Sequence, residues 1–238
     1  KIGLALSKEK SSSKLFEMIL DEASSISNAA GSTLYTVEDK FLKFNIIKNE
    51  PLKMWQGGLS GKTISYKKIP IYSYEGNENM KNVCSYAAIT GKTVEIQDAY
   101  KIKEFDFSGM KKFDKKTGFR SQSSLTVPMK DHENECIGVI QLFNARDDKG
   151  KVISFTKEMK SEIESLASQG AITLSNKRLI SELKNIFESF IRLIAIAIDK
   201  KSAYTGGHCE RVPRLTMMIA EALEKQTTGK FKDFKMTE

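Results

Sequence analysis

The residue types that carry metal and nucleophilic chemistry are few in this chain of 238 residues: two histidines, His132 and His208, and three cysteines, Cys84, Cys136 and Cys209. A two-metal hydrolytic site needs several His, Asp or Glu ligands to hold both ions and leave room for water and phosphate. His132 lies in a polar run between two apolar segments, which leaves His208 in the more suggestive setting of Asp199 to Val212. Tyr204, Thr205, Gly207, Cys209 and Arg211 surround it there. A lone histidine is weak evidence for metal, so His208 is expected to bind no catalytic metal in this chain, and no cofactor is expected. Thiol chemistry requires an accessible thiolate. Cys84 falls on a predicted short helix and is the candidate nucleophile, whereas Cys136 opens an apolar strand and is expected to pack. An odd, scattered set of three cysteines argues against a disulfide framework and fits a reducing cytoplasm.

Composition narrows the class. Hydrophobic residues make up 40% and charged residues 29%, which suits a soluble globular protein. No run approaches the roughly 18 apolar residues of a membrane span. The N-terminus is a poor signal peptide, and a start without Met suggests a chain cut from something longer. The net charge of +8 is spread over lysines along the whole length, most of them close to acidic residues. No aromatic-interleaved basic repeat appears, so neither a nucleic-acid polymer nor a membrane is expected as partner.

Stepping along the chain gives the elements that must position any site. Leu15, Phe16, Ile19, Leu20, Ala23 and Ile26 recur at helical spacing after Ser11, Ser12 and Ser13, with Gly31 as the expected stop. Residues 32–37 and 41–47 read as two strands, and a glycine- and lysine-rich stretch leads to a short strand near 69–72. Residues 82–90 read as a short helix ended by Gly91, with a strand at 93–96, and 105–116 as a small polar helix over the sheet. The best strands are 124–129 and 136–143, joined by a polar hairpin connection that holds His132. This order predicts an α+β domain with an antiparallel sheet.

The residues from Thr117 through Ser124–Met129 to Asn144, with Ile89 to Tyr100 ahead of them, resemble a GAF domain, closest to the regulatory GAF domains of cyclic-nucleotide phosphodiesterases and related bacterial sensors. The likeness covers about residues 11–170. It implies a six-stranded antiparallel sheet flanked by helices, with a small-molecule pocket on one face. Carried over by position, it places Val83 and Cys84 from the short helix, Thr117 and Ser121 from the following loop, and Gln141 from the last strand against a ligand of unknown identity. The alternative assignment has Thr117 and Ser121 capping a turn and Gln141 as an ordinary strand residue. Cyclic-nucleotide-binding members often carry a dispersed Asn, Lys, Phe, Asp, Glu signature. Here Asn144 and Phe155 remain, but Ala145 stands where the Lys is expected and Thr156 and Lys157 fall near the acidic positions. A cyclic nucleotide is thus one candidate ligand among several.

Met159, Leu166, Thr173, Ile180, Phe187 and Ile194 stand at every seventh position, with Leu183, Phe190 and Ala197 as a second seam and Ile172, Leu179, Ile186 and Leu193 widening the face. That stripe predicts a homodimer through a long linker helix, weaker near the sensor where the second seam reads Glu162, Gln169 and Asn176. The stretch Asp199 to Val212 is similar to the opening of the HD-GYP domain, a metal-dependent phosphodiesterase family acting on cyclic di-GMP. The resemblance implies that His208 would be the first ligand to divalent iron or manganese in a complete parent domain, with Arg211 in the same signature. The family's His-Asp pair and Gly-Tyr-Pro segment are absent from this chain.

The expected organisation is a sensor at 11–157, a signalling helix at 158–198 and an HD-GYP fragment at 199–238. The expected function is a cytoplasmic ligand sensor that controls a downstream phosphodiesterase; the chain alone is expected to show no phosphodiesterase activity. Two alternatives stand beside it: a ligand-free dimerisation module, and a thiol-based redox sensor or reductase, since some GAF-like domains perform cysteine chemistry.

Overall fold

The computed structural model describes residues 6, 9, 11–201 and 207–236. They divide into two units, Lys1–Lys177 and Arg178–Glu238. In the first, α1 (Ser12–Ser27) starts where the Ser11 hydroxyl accepts from Lys14 N at 3.3 Å, and it buries Leu15, Ile19, Leu20 and Ala23 along one stripe. It ends three residues earlier than the expected glycine stop, at Asn28 in the left-handed conformation, which leaves Gly31 free to open the first strand.

The strands are β1 (Gly31–Glu38), β2 (Phe41–Asn49), β3 (Met54–Gly57), β4 (Ile69–Pro70), β5 (Val94–Ile96), β6 (Ser124–Lys130) and β7 (Cys136–Phe143). Six follow the path β3-β2-β1-β7-β6-β5, and the two-residue β4 adds a seventh by pairing with β2. All pairings are antiparallel. A separate ribbon joins β8 (Ala145–Arg146) to β9 (Val152–Ile153). Two short helices, α2 (Val83–Thr90) and α3 (Ser108–Thr117), lie between strands, and α4 (Lys157–Lys201) follows the ribbon.

Strand alternation sorts the side chains onto two faces. Leu34, Ile46, Leu125, Val127, Ile140 and Leu142 join α1 in one core, completed by Ile163, Leu166, Ala167 and Ala171 of α4. The opposite face carries Tyr35, Leu42 and Val139 against Val83 and Cys84 of α2. The early turns of the expected linker helix therefore belong to the sensor core. β7 sits centrally, and a Cβ on Gly138 would lie 2.5 Å from the Tyr35 carbonyl oxygen. Gly138→Val should cost about 1–3 kcal/mol or more, since the clash is with backbone and not with a movable side chain. Urea unfolding followed by circular dichroism measures it.

In the second unit, α4 continues from Arg178 and α5 (His208–Glu224) follows. Ile180, Leu183, Phe187, Phe190 and Ile194 are all exposed within the chain. No helix among the described residues is long and apolar enough to cross a membrane.

Candidate functional site

The face of the sheet turned away from α1 holds a cavity of about 460 Å³, in the range typical of small-molecule sites. Its floor comes from β1 and β7. Register places Thr33 opposite Gln141, and Gln141 opposite Thr126, so three polar side chains form one row across β1, β7 and β6. Tyr35 Oη donates to Gln141 Oε1 at 3.1 Å, and Gln141 Nε2 makes a long contact to Thr126 Oγ1 at 3.5 Å. Ser124 Oγ is buried on the same strand and has no protein partner among the described residues. The walls are aromatic and apolar, with Phe44, Tyr66, Phe107, Phe113, Phe119 and Phe143 among them. An aromatic cleft with a short polar row suits a flat ligand that carries a few hydrogen-bonding groups.

One wall is α2. Asn82 caps it, accepting from Cys84 N at 3.0 Å and Ser85 N at 3.1 Å, and this sets Val83 and Cys84 against the floor. Burial pushes the Cys84 thiol up to about 12 and drives the neighbouring Tyr35 phenol well above its ordinary value. Burial also pushes Cys136 up to about 11. A group held protonated in the fold and free to ionise when unfolded stabilises the fold below its unfolded value and ceases to do so as pH rises. Stability should therefore fall between about pH 9 and pH 12, and Cys84→Ala should remove part of that slope. Alkaline unfolding of the two proteins in parallel checks it.

The structure brings Val83, Cys84, Ser121 and Gln141 to the cavity wall and leaves Thr117 outside it. Thr117 Oγ1 instead donates to Phe113 O at 2.9 Å and accepts from Phe119 N at 3.3 Å, closing the end of α3. Ser121 is at the wall, but its hydroxyl is already engaged by Asp114 Oδ1 at 2.9 Å. Asp114, unnoticed in the sequence, is the buried residue of α3. It stands one turn after Met110, which also faces inward, but a carboxylate flanked by lysines gives no sequence signal of burial.

Asn144 is structural. Its side chain accepts from Gln122 N at 2.7 Å and donates to Arg120 O at 2.6 Å, which ties the loop before β6 to the end of β7. Phe155 is buried in the α1 core. Ala145 is fully buried, and the ion pair at this corner is Arg146 with Glu50; the same guanidinium donates to Asn28 O at 2.8 Å at the end of α1. His208 begins α5 and is exposed. No group of three His, Cys, Asp or Glu among the described residues is placed to hold a metal. Residues 202–206, with Tyr204 and Thr205, lie outside the described residues.

The chain matches no protein-family model. It is 28% identical over 145 residues to the dual 3',5'-cyclic-AMP and -GMP phosphodiesterase 11A of Takifugu rubripes, a match that covers 61% of this chain and 15% of that protein. Among solved structures it is similar to the GAF domain of a phosphoenolpyruvate-protein phosphotransferase from Coxiella burnetii, at a TM-score of 0.55 and 11% identity over 76% of this chain and 92% of that one. It is also similar to residues 122 to 287 of a methyl-accepting chemotaxis protein, at a TM-score of 0.53 and 14% identity over 76% of this chain and 98% of that one. The free methionine-R-sulfoxide reductase of Neisseria meningitidis, in complex with its substrate, gives 0.51 and 15% over 75% and 87%. The fold of the first unit is that of a GAF domain.

Proposed function

We propose that the first unit is a sensor that binds a small molecule in the cavity between the β1–β7 floor and helices α2 and α3, and that α4 carries the result to an output. The observation behind this reading is the cavity itself, with its aromatic walls and the polar pair Thr33 and Gln141 on its floor. The phosphodiesterase relative makes cyclic AMP and cyclic GMP the first ligands to try. A ligand at a hundred times its dissociation constant stabilises the folded state by about 2.7 kcal/mol. The melting temperature should accordingly rise with one of them, and the rise should shrink in Gln141→Ala. A ligand series that moves neither protein would favour the dimerisation module, which the exposed seam of α4 independently supports.

For the output, the support is the sequence of Asp199 to Val212, whose resemblance to an HD-GYP opening suggests control of cyclic di-GMP hydrolysis. The prediction is metal-dependent hydrolysis by the longer parent protein, lost in His208→Ala, and none by this chain. Hydrolysis by this chain that disappears in His208→Ala would contradict it. The thiol reading is disfavoured by burial, because reactive cysteines have lowered values and both Cys84 and Cys136 are raised.

A further inference from the structure

The cavity is only partly enclosed, and α3 forms one stretch of its wall. Ser108, Gly109, Met110 and Phe113 of this helix face the cavity. Lys111, Lys112, Lys115 and Lys116 face outward and are exposed. A single residue of α3 is buried, and it is a carboxylate, Asp114. Its Oδ2 accepts from Ser121 N at 2.8 Å and from Tyr100 Oη at 2.7 Å, and its Oδ1 accepts from Ser121 Oγ at 2.9 Å.

These partners stand on fixed ground. Gln122, next to Ser121, donates its N–H to Asn144 Oδ1 at the end of β7, and its carbonyl accepts from Ala99 N at 2.9 Å, next to Tyr100. The C-terminal end of α3 turns through Gly118, at φ +76° with open space around it. At the other end Asp106 N donates to Lys81 O at 2.7 Å, and the Asp106 carboxylate accepts from Ser108 N. A short helix held between two loop ends, with one buried polar anchor, is suited to local opening without unfolding of the sheet.

We propose that α3 is a hinged lid over the cavity and that Asp114 is its latch, engaging Ser121 and Tyr100 when the lid is shut. Opening the lid breaks three hydrogen bonds to one carboxylate and little else that is buried on α3. Asp114 is thus a positioning residue for the cavity and has no part in any chemistry. The proposal rests on the reading of the cavity as a ligand site, but lid motion is measurable without a ligand.

Cys84 supplies the reporter, since it lines the cavity and is almost fully buried. In a background of Cys136→Ala and Cys209→Ala it is the one thiol, and its reaction with 5,5'-dithiobis(2-nitrobenzoate) at pH 8 reports access beneath the lid. Hydrogen exchange of α3 amides is read alongside. Asp114→Ala should raise both rates by on the order of tenfold to a hundredfold while exchange in β6 and β7 stays put. Asp114→Asn should restore most of the latch, because an amide can accept from Ser121 N and Tyr100 Oη through its oxygen and donate to Ser121 Oγ. Tyr100→Phe, which deletes one of the three bonds, should fall between and serves if Asp114→Ala does not fold. Wild-type rates in Asp114→Ala, or faster exchange of β6 and β7 in step with α3, would overturn the latch. A lid that opens as expected over a cavity that takes no ligand would instead sink the sensor reading and leave the latch standing.

Discussion

A chain carrying Phe187→Glu and Ile194→Glu is expected to sediment as a monomer, and the unaltered chain as a dimer. Both side chains are exposed within the chain, at 63% and 44%, and stand one heptad apart on a seam that also holds Ile180, Leu183 and Phe190. Within one chain the replacements remove almost no packing. Across a two-fold helix pair each altered position is met twice, and burying four carboxylates against apolar partners costs several kcal/mol, a loss of at least about a thousandfold in association. The melting transition of the first unit should stay within a few degrees, because its core reaches no further along this helix than Leu174. Analytical ultracentrifugation of both proteins decides the matter. An unchanged sedimentation coefficient would remove the dimer from the account.

The second large effect is on stability. Glu17 of α1 is 6% exposed, and its carboxylate accepts from Trp55 Nε1 at 3.1 Å and Leu59 N at 3.0 Å and pairs with Lys48 at 2.5 Å. Lys48 also pairs with Asp21 and lies 4.8 Å from the centre of the Trp55 ring. One side chain thereby fastens α1 to β2, to β3 and to the turn at Gly58–Ser60. Glu17→Ala leaves the Trp55 and Leu59 donors without their acceptor and takes from Lys48 one of its two carboxylate partners, which should cost about 2–4 kcal/mol. For a unit of this size that is a fall of roughly 5–15 °C in melting temperature. Glu17→Gln keeps one oxygen that accepts from both Trp55 Nε1 and Leu59 N but turns an amide toward Lys48, and should lose about half as much. Calorimetry that finds both variants within about 1 °C of wild type would show the cluster to be solvated and weak.

Much of the first unit was legible because its longer elements obey simple periods. α1 repeats apolar residues at helical spacing, β6 alternates polar and apolar residues, and β7 is an apolar run across a polar connection from it, so their existence and pairing followed from the sequence. β3, β4 and the β8–β9 ribbon are two to four residues long, and such segments become strands only because a neighbour offers hydrogen bonds. The start of the linker helix shows the same ambiguity: Leu166 stands on the heptad stripe and also lies in the domain core, beside Ile163 and Ala167, so spacing alone does not separate the two roles.

At the site, position along the chain was a better guide than residue chemistry. Val83 and Gln141 are at the cavity because the alternation of β7 and the Asn82 cap place them there. Thr117 is not, since a hydroxyl at the last turn of a helix has a carbonyl four residues back within reach. Asp114 was invisible among four lysines, because a carboxylate in so basic a helix looks solvated until Ser121 and Tyr100 are folded against it. Tyr35 could have been found from the alternation of β1, where Leu34 faces α1 and its neighbour must face the cavity.

The central claim is that the cavity on the β1–β7 face holds a small molecule. Native mass spectrometry of the chain as purified, compared with the same sample after denaturation, tests it most directly. The account predicts one non-covalent small molecule per chain, released on denaturation and absent from Gly109→Trp, where open space at the lid receives an indole that closes the cavity mouth. A bare chain mass in the native spectrum, with the same melting temperature for the wild type and Gly109→Trp in cyclic AMP or cyclic GMP, would contradict it.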